Sequence, residues 1–220
     1  MISQRYRRNY IGEFVVSHTT LRDGVKVQDR EWIPNAVENH HVSGRAAVIV
    51  GDTDRSRFDY ARLQHHRGGL RGSKKLQTYG TDVTWQHLRL DFYVTTDSMT
   101  LAMIDNSDYG QGTVVYTDRR RVLEFPQKFF LPPYCPQMAD TALALYLAAF
   151  DGHREIFVLG AVEHQDRNLD WQQHVHEVMR CYHTCQFYFV GAEAAMPMSW
   201  RSEPNFDCMT VRRFVTHCDI

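Results

Sequence analysis

The run Ala46-Ala47-Val48-Ile49-Val50, closed by Gly51, constrains the fold most. Five consecutive apolar residues leave no polar side to face water, so a strand built from them is buried on both faces. That environment is the interior of a parallel sheet covered by helices. Further strand candidates follow at Leu76–Tyr79, Asp91–Thr95, Thr113–Thr117, Lys128–Leu131, Glu155–Gly160 and Gln186–Val190. Stretches of helical period lie between them. In Met138–Phe150, residues Ala142, Leu143, Tyr146, Leu147 and Phe150 recur at helical spacing, and Gly152 supplies a left-handed stop. A second helix is expected over Asp170–Thr184, with Trp171, Val175, Val178, Met179 and Tyr182 as its apolar face. Strands alternating with helices predict an α/β fold, a three-layer, Rossmann-like and mostly parallel sheet.

The first 44 residues read differently. Ile11–Val16 has the pattern of a strand, and Asp23-Gly24 that of a hairpin turn returning through Val25 and Val27. The expected organisation is an N-terminal arm or hairpin over 1–44 and a Rossmann-like domain over 45–220. Hydrophobic residues at 43% and charged residues at 23% exclude a disordered chain. A chain of this length buries roughly 70% of its unfolded surface, so it needs neither disulfide nor metal to fold. Lys+Arg is 25 against Asp+Glu 26, a net charge of −1 that argues against a dedicated nucleic-acid binder. No apolar stretch approaches the about 18 residues of a membrane span. The basic start, Met1–Arg8, lacks the apolar core of a signal peptide. Five cysteines, Cys135, Cys181, Cys185, Cys208 and Cys218, are an odd number and read as reduced thiols, which places the protein in the cytoplasm.

Three segments carry candidate chemistry. The turn Gly51-Asp52-Thr53-Asp54-Arg55-Ser56-Arg57 follows the first core strand, where open α/β sheets bind ligands. Gly51 allows close approach of the backbone, and Thr53 or Ser56 offers a hydroxyl donor. Asp52 and Asp54 set negative charge where a phosphate would sit, and a polar strand-to-helix turn accounts for the same residues. The stretch Arg55–Lys75 holds seven basic residues against the single acid Asp59, with Gly68-Gly69 and Gly72-Ser73 between them. It is suited to clamping a phosphate-bearing ligand, docking on an acidic surface or touching nucleic acid; a solvated charged face explains it equally. His174, Val178, Cys181 and Cys185 share one helical face, which is expected to pack thiols into the core rather than to bind metal. Asp91, Asp97 and Asp118 fall at or near strand ends, where acids serve ligands or cap helices.

Two segments together resemble the bacterial Rossmann-type sialyltransferases and the related pterin pyrophosphokinase-like (MptE-like) proteins. The first is Ala47–Leu63, an apolar strand running through Gly51-Asp52-Thr53-Asp54-Arg55 into Asp59-Tyr60-Ala61-Arg62-Leu63. The second is Thr141–Phe150 followed by Gly152-His153-Arg154-Glu155-Ile156 and a strand ending at Gly160. The shared order and spacing cover roughly residues 45–190, and the sequence is also similar to proteins of large tailed phages. The resemblance implies a nucleotide-sugar-dependent glycosyltransferase, or a related nucleotide-binding transferase, encoded by a phage. It places the nucleotide on Gly51, Asp52, Thr53, Arg55, Asp82 and Asp97, and a general-base histidine at His164 or His174. No resident cofactor is implied, only a nucleotide-sugar donor. The family's Gly-Asn-Gly-Pro-Ser loop is replaced here by Gly-Asp-Thr-Asp-Arg, its Thr-Ser-Gly by Ala139-Asp140-Thr141, and its later acidic-aromatic run falls on Ala161-Val162-Glu163-His164. These departures imply a degenerate donor site.

A second expectation from a different class is a non-catalytic interaction protein of the virion that reuses the fold and binds phage structural proteins. The enzyme reading expects Gly51→Val to abolish nucleotide binding with the fold intact. The virion reading expects co-purification with assembled particles.

Overall fold

The computed structural model describes residues 12–22, 25–35, 44–51, 58–64, 76–125, 128–133, 136–160, 169–191 and 196–220. Strands β1 (Gly12–Arg22) and β2 (Val25–Asn35) pair antiparallel along their whole length, from Gly12 opposite Asn35 to Arg22 opposite Val25, in a sheet of their own. The expected turn residues Asp23 and Gly24 lie outside the described residues.

The main sheet has seven strands: β3 (Arg45–Ile49), β4 (Gln77–Gly80), β5 (Phe92–Val94), β6 (Val114–Tyr116), β7 (Glu155–Leu159), β8 (Gln186–Val190) and β9 (Phe206–Met209). Their spatial order is β6-β5-β4-β3-β7-β8-β9, and every neighbouring pair is parallel. The chain enters at the centre with β3, steps outward to β6, and returns to the other side of β3 with β7. That reversal makes a topological switch point between β3 and β7.

Alternation along each strand divides the core. Ala46, Val48 and Val50 of the β3 run join Ile156, Val158, Phe187 and Phe189 under α4 (Asp140–Phe150) and α5 (Leu169–Cys181). Ala47, Ile49, Phe157 and Leu159 face the other way, onto α1 (Ala61–Gln64) and α6 (Val211–Cys218). Helix α2 (Ser98–Asp105) covers Tyr93 and Val115 on that second side, and α3 (Arg119–Glu124) follows β6. Both faces are covered, so this is the expected three-layer, Rossmann-like α/β fold. Helix α4 is buried from Thr141 to Phe150 because it packs on β3, β4, β5 and β7 and against α5. Its near-continuous apolar sequence follows from that burial on several sides.

Three expectations shift. Lys128–Leu131 is not a strand: only Phe130 bridges, in parallel, to Tyr116. Pro126, Pro132 and Pro133 bracket the segment and lack the N–H groups a ladder requires. Helix α5 ends at Cys181, so Cys185 lies beyond its face. The Cys185 thiol is buried and donates to the His153 carbonyl at 3.1 Å. Strand β9 and helices α2, α3 and α6 were not anticipated. They are short, and β9 carries the polar pattern of an edge strand.

Candidate functional site

The carboxyl ends of β3, β4 and β5 are each tied to a neighbouring strand by a backbone hydrogen bond, β3 to β7, β4 to β3 and β5 to β6. Val50 N–H donates to the Leu159 carbonyl at 2.9 Å, Thr81 N–H to that of Ile49 at 3.1 Å, and Thr95 N–H to that of Tyr116 at 3.1 Å. Gly51 is buried with φ +71, a conformation that only glycine adopts without cost, and Gly160 after β7 has φ +81. The two flank the switch point. A valine at 51 is strained whatever binds there, so Gly51→Val reads the backbone as much as a ligand.

Gly80 ends β4 under a different constraint. A Cβ there would lie 2.6 Å from Thr84 Oγ1 and would overlap the Leu90 side chain. Thr84 Oγ1 is itself committed, donating to the Thr81 carbonyl at 2.7 Å. This tight turn delivers Asp82 at φ +53, one of two non-glycine residues with positive φ among the described residues. Asp is among the few side chains that tolerate that region. The Asp82 side chain is exposed, its Oδ2 accepts from Thr81 Oγ1 at 2.7 Å, and its carbonyl accepts from the Tyr93 hydroxyl.

Beyond β5, Thr96 gives its amide to Asp140 Oδ2 at 3.1 Å and its hydroxyl to Asp140 Oδ1 at 2.9 Å. Asp140 is the first residue of α4, so this pair fastens the start of that helix to the end of β5. From the other side, Arg121 Nε donates to the Thr96 carbonyl at 3.0 Å. Desolvation raises the Asp140 carboxyl to about 6, with repulsion from Asp82 acting in the same direction and the Thr96 hydrogen bonds opposing both. Burial, with Tyr109, Asp82 and Asp140 nearby, keeps the Tyr93 phenol well above its ordinary range. The result is two carboxylates in unlike settings, Asp82 in water and Asp140 half-buried. Such a division separates acid and base roles.

The sequence-derived candidates meet this cluster unequally. Gly51 and Asp82 lie at the ends of neighbouring strands. Asp97 is the N-cap of α2: its carboxylate accepts from Thr100 N–H at 2.7 Å, and that hydrogen bond holds it below the usual carboxylate range. Asp118 caps α3 through Arg121 N–H at 2.8 Å, and Asp91 accepts from both the amide and hydroxyl of Thr78. His174, on α5, accepts the Ala139 N–H at Nδ1, 3.1 Å away, one residue before Asp140. That bond places the proton of the neutral ring on Nε2, so in this arrangement His174 is a donor. Asp52, Thr53, Arg55 and His164 lie outside the described residues, as does the Arg55–Lys75 stretch apart from 58–64.

Asp140, Thr96 and Tyr93 were missed. The available signal was an acid at the first position of the most apolar helix, where no solvated face requires it. Among the described residues no group of three or more His, Cys, Asp or Glu could hold a metal ion, and no helix is long and apolar enough to cross a membrane.

No protein-family model matches the sequence, and no curated protein does. Among solved structures the chain is similar to the sialyltransferase CstII from Campylobacter jejuni, determined in complex with a substrate analogue, cytidine-5'-monophosphate. Identity is 12%, the match covers 73% of this chain and 86% of that one, and the TM-score is 0.42.

Proposed function

We propose that the protein binds a nucleotide sugar across the carboxyl ends of β3 and β4 and transfers the sugar to a hydroxyl acceptor. One observation carries this reading: Asp82, held at φ +53 at the end of β4, and Asp140, fastened by Thr96 at the end of β5, are close enough for the charge of one to raise the carboxyl of the other. Strand β4 is the neighbour of the β3 strand that ends at Gly51 and the switch point. Ligands in open α/β folds bind there. The sequence resemblance of Ala47–Leu63 and Thr141–Gly160 to the Rossmann-type sialyltransferases supports the same substrate class.

In this reading Gly51 and the following loop residues Asp52, Thr53 and Arg55 face the phosphate, and Asp82 accepts from sugar or base hydroxyls. Asp140 is the general base. Its carboxyl, at about 6, is mostly ionised at neutral pH yet basic enough to take a proton. The acceptor oxygen attacks the anomeric carbon as its proton passes to Asp140. The bond from that carbon to the phosphate oxygen breaks, and the nucleotide leaves with the electron pair. His174, with its proton on Nε2, is suited to donating to the departing phosphate. Asp97 is occupied as a helix cap and contributes position.

A thermal-shift panel of cytidine, uridine, guanosine and adenosine nucleotides and their sugar conjugates tests the reading. A ligand at a hundred times its dissociation constant stabilises by about 2.7 kcal/mol, or roughly 5–10 °C for a chain of this size. A shift confined to one base, and lost in Asp82→Ala, is expected. A cooperative melt that no nucleotide moves overturns it.

The departure of Gly51-Asp52-Thr53-Asp54-Arg55 from the family's loop favours a second reading, a non-catalytic component of a phage particle. Co-purification with assembled virions is its test, and protein found only in the free lysate counts against it.

A further inference from the structure

A groove of about 780 Å³ opens beside the ends of β5 and β6, lined by Thr96, Arg119, Arg120, Leu123, Met138 and Leu143 among others. Its volume lies within the range of small-molecule sites. Its walls divide by chemistry. Leu123, Met138 and Leu143 supply an apolar side, and Leu143 is almost fully buried in the main core, so that side is backed by fixed structure.

The polar side carries surplus positive charge. Arg119, Arg120 and Arg121 are consecutive, and the acids beside them are Asp118 and Glu124. Arg121 takes Glu124 with a single Nη1, at 3.0 and 2.7 Å from its two oxygens, and fixes the Thr96 carbonyl with Nε. Arg120 reaches the same Glu124 only at 3.3 Å and is largely exposed. Asp118, which also lines the groove, accepts the Arg121 N–H at Oδ1. Arg119 has no ion-pair partner among the described residues. A guanidinium with no ion-pair partner among the described residues, set at an apolar groove, matches an oxyanion carried on an apolar body, because the guanidinium fork binds carboxylate, sulfonate or phosphate oxygens in pairs.

We propose that this groove is a small-molecule site, separate from the Asp82–Asp140 cluster, for an amphipathic anion: one oxyacid group held by Arg119 and Arg120, with an apolar body against Leu123, Met138 and Leu143. Thr96 belongs to both places, lining the groove with its hydroxyl committed to Asp140. Neither Asp140 nor any residue of β3 or β4 lines the groove. The assignment stands on the groove itself, so failure of nucleotide binding at β3 and β4 leaves it untouched.

The probe is 8-anilinonaphthalene-1-sulfonate, an aryl sulfonate, titrated by fluorescence into the full chain, with its uncharged parent N-phenyl-1-naphthylamine alongside. One saturable sulfonate site is expected, weakened about tenfold or more, equivalent to about 1.4 kcal/mol, in Arg119→Glu/Arg120→Glu. The control Arg212→Glu/Arg213→Glu on α6 leaves it unchanged. Arg119→Gln, which breaks no ion pair among the described residues, shows the same direction of change and serves if the double variant fails to fold. The uncharged parent binds at least about tenfold more weakly. No saturable binding to the cooperatively melting protein overturns the assignment, and so does equal loss in the α6 control or equal binding of the uncharged parent. Displacement of the sulfonate by saturating cytidine monophosphate overturns the separation of the two sites.

Discussion

Thr96 donates its amide and its hydroxyl to different oxygens of the Asp140 carboxylate, at 3.1 and 2.9 Å, across 44 residues of chain. The pair joins the end of β5 to the start of α4. The Asp140 carboxyl is nevertheless raised from 3.8 to about 6, so desolvation and the charge of Asp82 outweigh two hydrogen bonds. A raised carboxyl means that the folded state holds a proton that the unfolded chain has lost. The resulting stabilisation is complete below the unfolded value and disappears as pH rises through about 6. Urea unfolding at pH 4 and pH 7 is expected to show the protein less stable at the higher pH, by at most about 3 kcal/mol from this group. Asp140→Asn flattens that slope. A slope unchanged in the variant assigns it to another group.

Asp82 offers a check on the same electrostatics. Asn tolerates positive φ nearly as well as Asp, so Asp82→Asn is expected to fold normally while lowering the Asp140 carboxyl by removing its repelling neighbour. Asp82→Val places a β-branched residue at φ +53 and is expected to lose about 1–2 kcal/mol. A carboxyl titration followed by NMR reads the first, and denaturant melts read the second. An Asp140 value unmoved in Asp82→Asn separates the two acids.

The sheet was legible in the sequence because its central strands are buried on both faces. Ala46–Val50, Glu155–Leu159 and Gln186–Val190 are apolar in nearly every position, and no other environment accommodates them. Edge elements were not legible. Phe206-Asp207-Cys208-Met209 is paired on one side only and keeps a polar pattern like that of a loop. Of the candidate site, Gly51 was read from its place after the first core strand, and Asp82 was proposed through the resemblance. Thr96 and Asp140 were not found: the only local trace is the acid that opens the apolar helix α4, and the pair forms only when β5 and α4 meet. Asp97 shows the opposite case: a strand-end acid suggestive of a ligand contact that is engaged as the cap of α2.

Gly80 is expected to be irreplaceable for a steric reason. The Cβ of Gly80→Ala meets Thr84 Oγ1 at 2.6 Å and overlaps the Leu90 side chain, and Thr84 cannot swing away without releasing the Thr81 carbonyl. Overpacking of this kind costs about 1–3 kcal/mol. Gly110→Ala, where no atom lies within 4 Å of the added carbon, is the control and is expected to stay within about 0.5 kcal/mol of the parent. Equal melting of the two variants would mean that the Thr81–Asp82 turn adapts, and the fixed geometry claimed for Asp82 would fail with it.

At the opposite end of the sheet, Glu155 joins β7 to β3 and α6. Arg45 Nε donates to Glu155 Oε2 at 2.7 Å, His217 Nε2 lies 2.8 Å from Oε1, and Arg45 Nη1 reaches the His217 carbonyl at 3.4 Å. Desolvation acts to raise the Glu155 carboxyl, but the hydrogen bonds from Arg45 and His217 prevail and hold it below the usual range. A depressed carboxyl stabilises the fold above its unfolded value of 4.5 and loses that contribution as pH falls through the lower folded value. Glu155→Gln is therefore expected to cost about 1 kcal/mol at neutral pH, a modest figure because the partners are a quarter to a third exposed. The parent and the variant should converge in acid, opposite in sign to the trend at Asp140. Parallel denaturation curves from neutral to acid pH decide the matter: a difference that persists at the acid end would make the Glu155 contribution one of packing, not of charge.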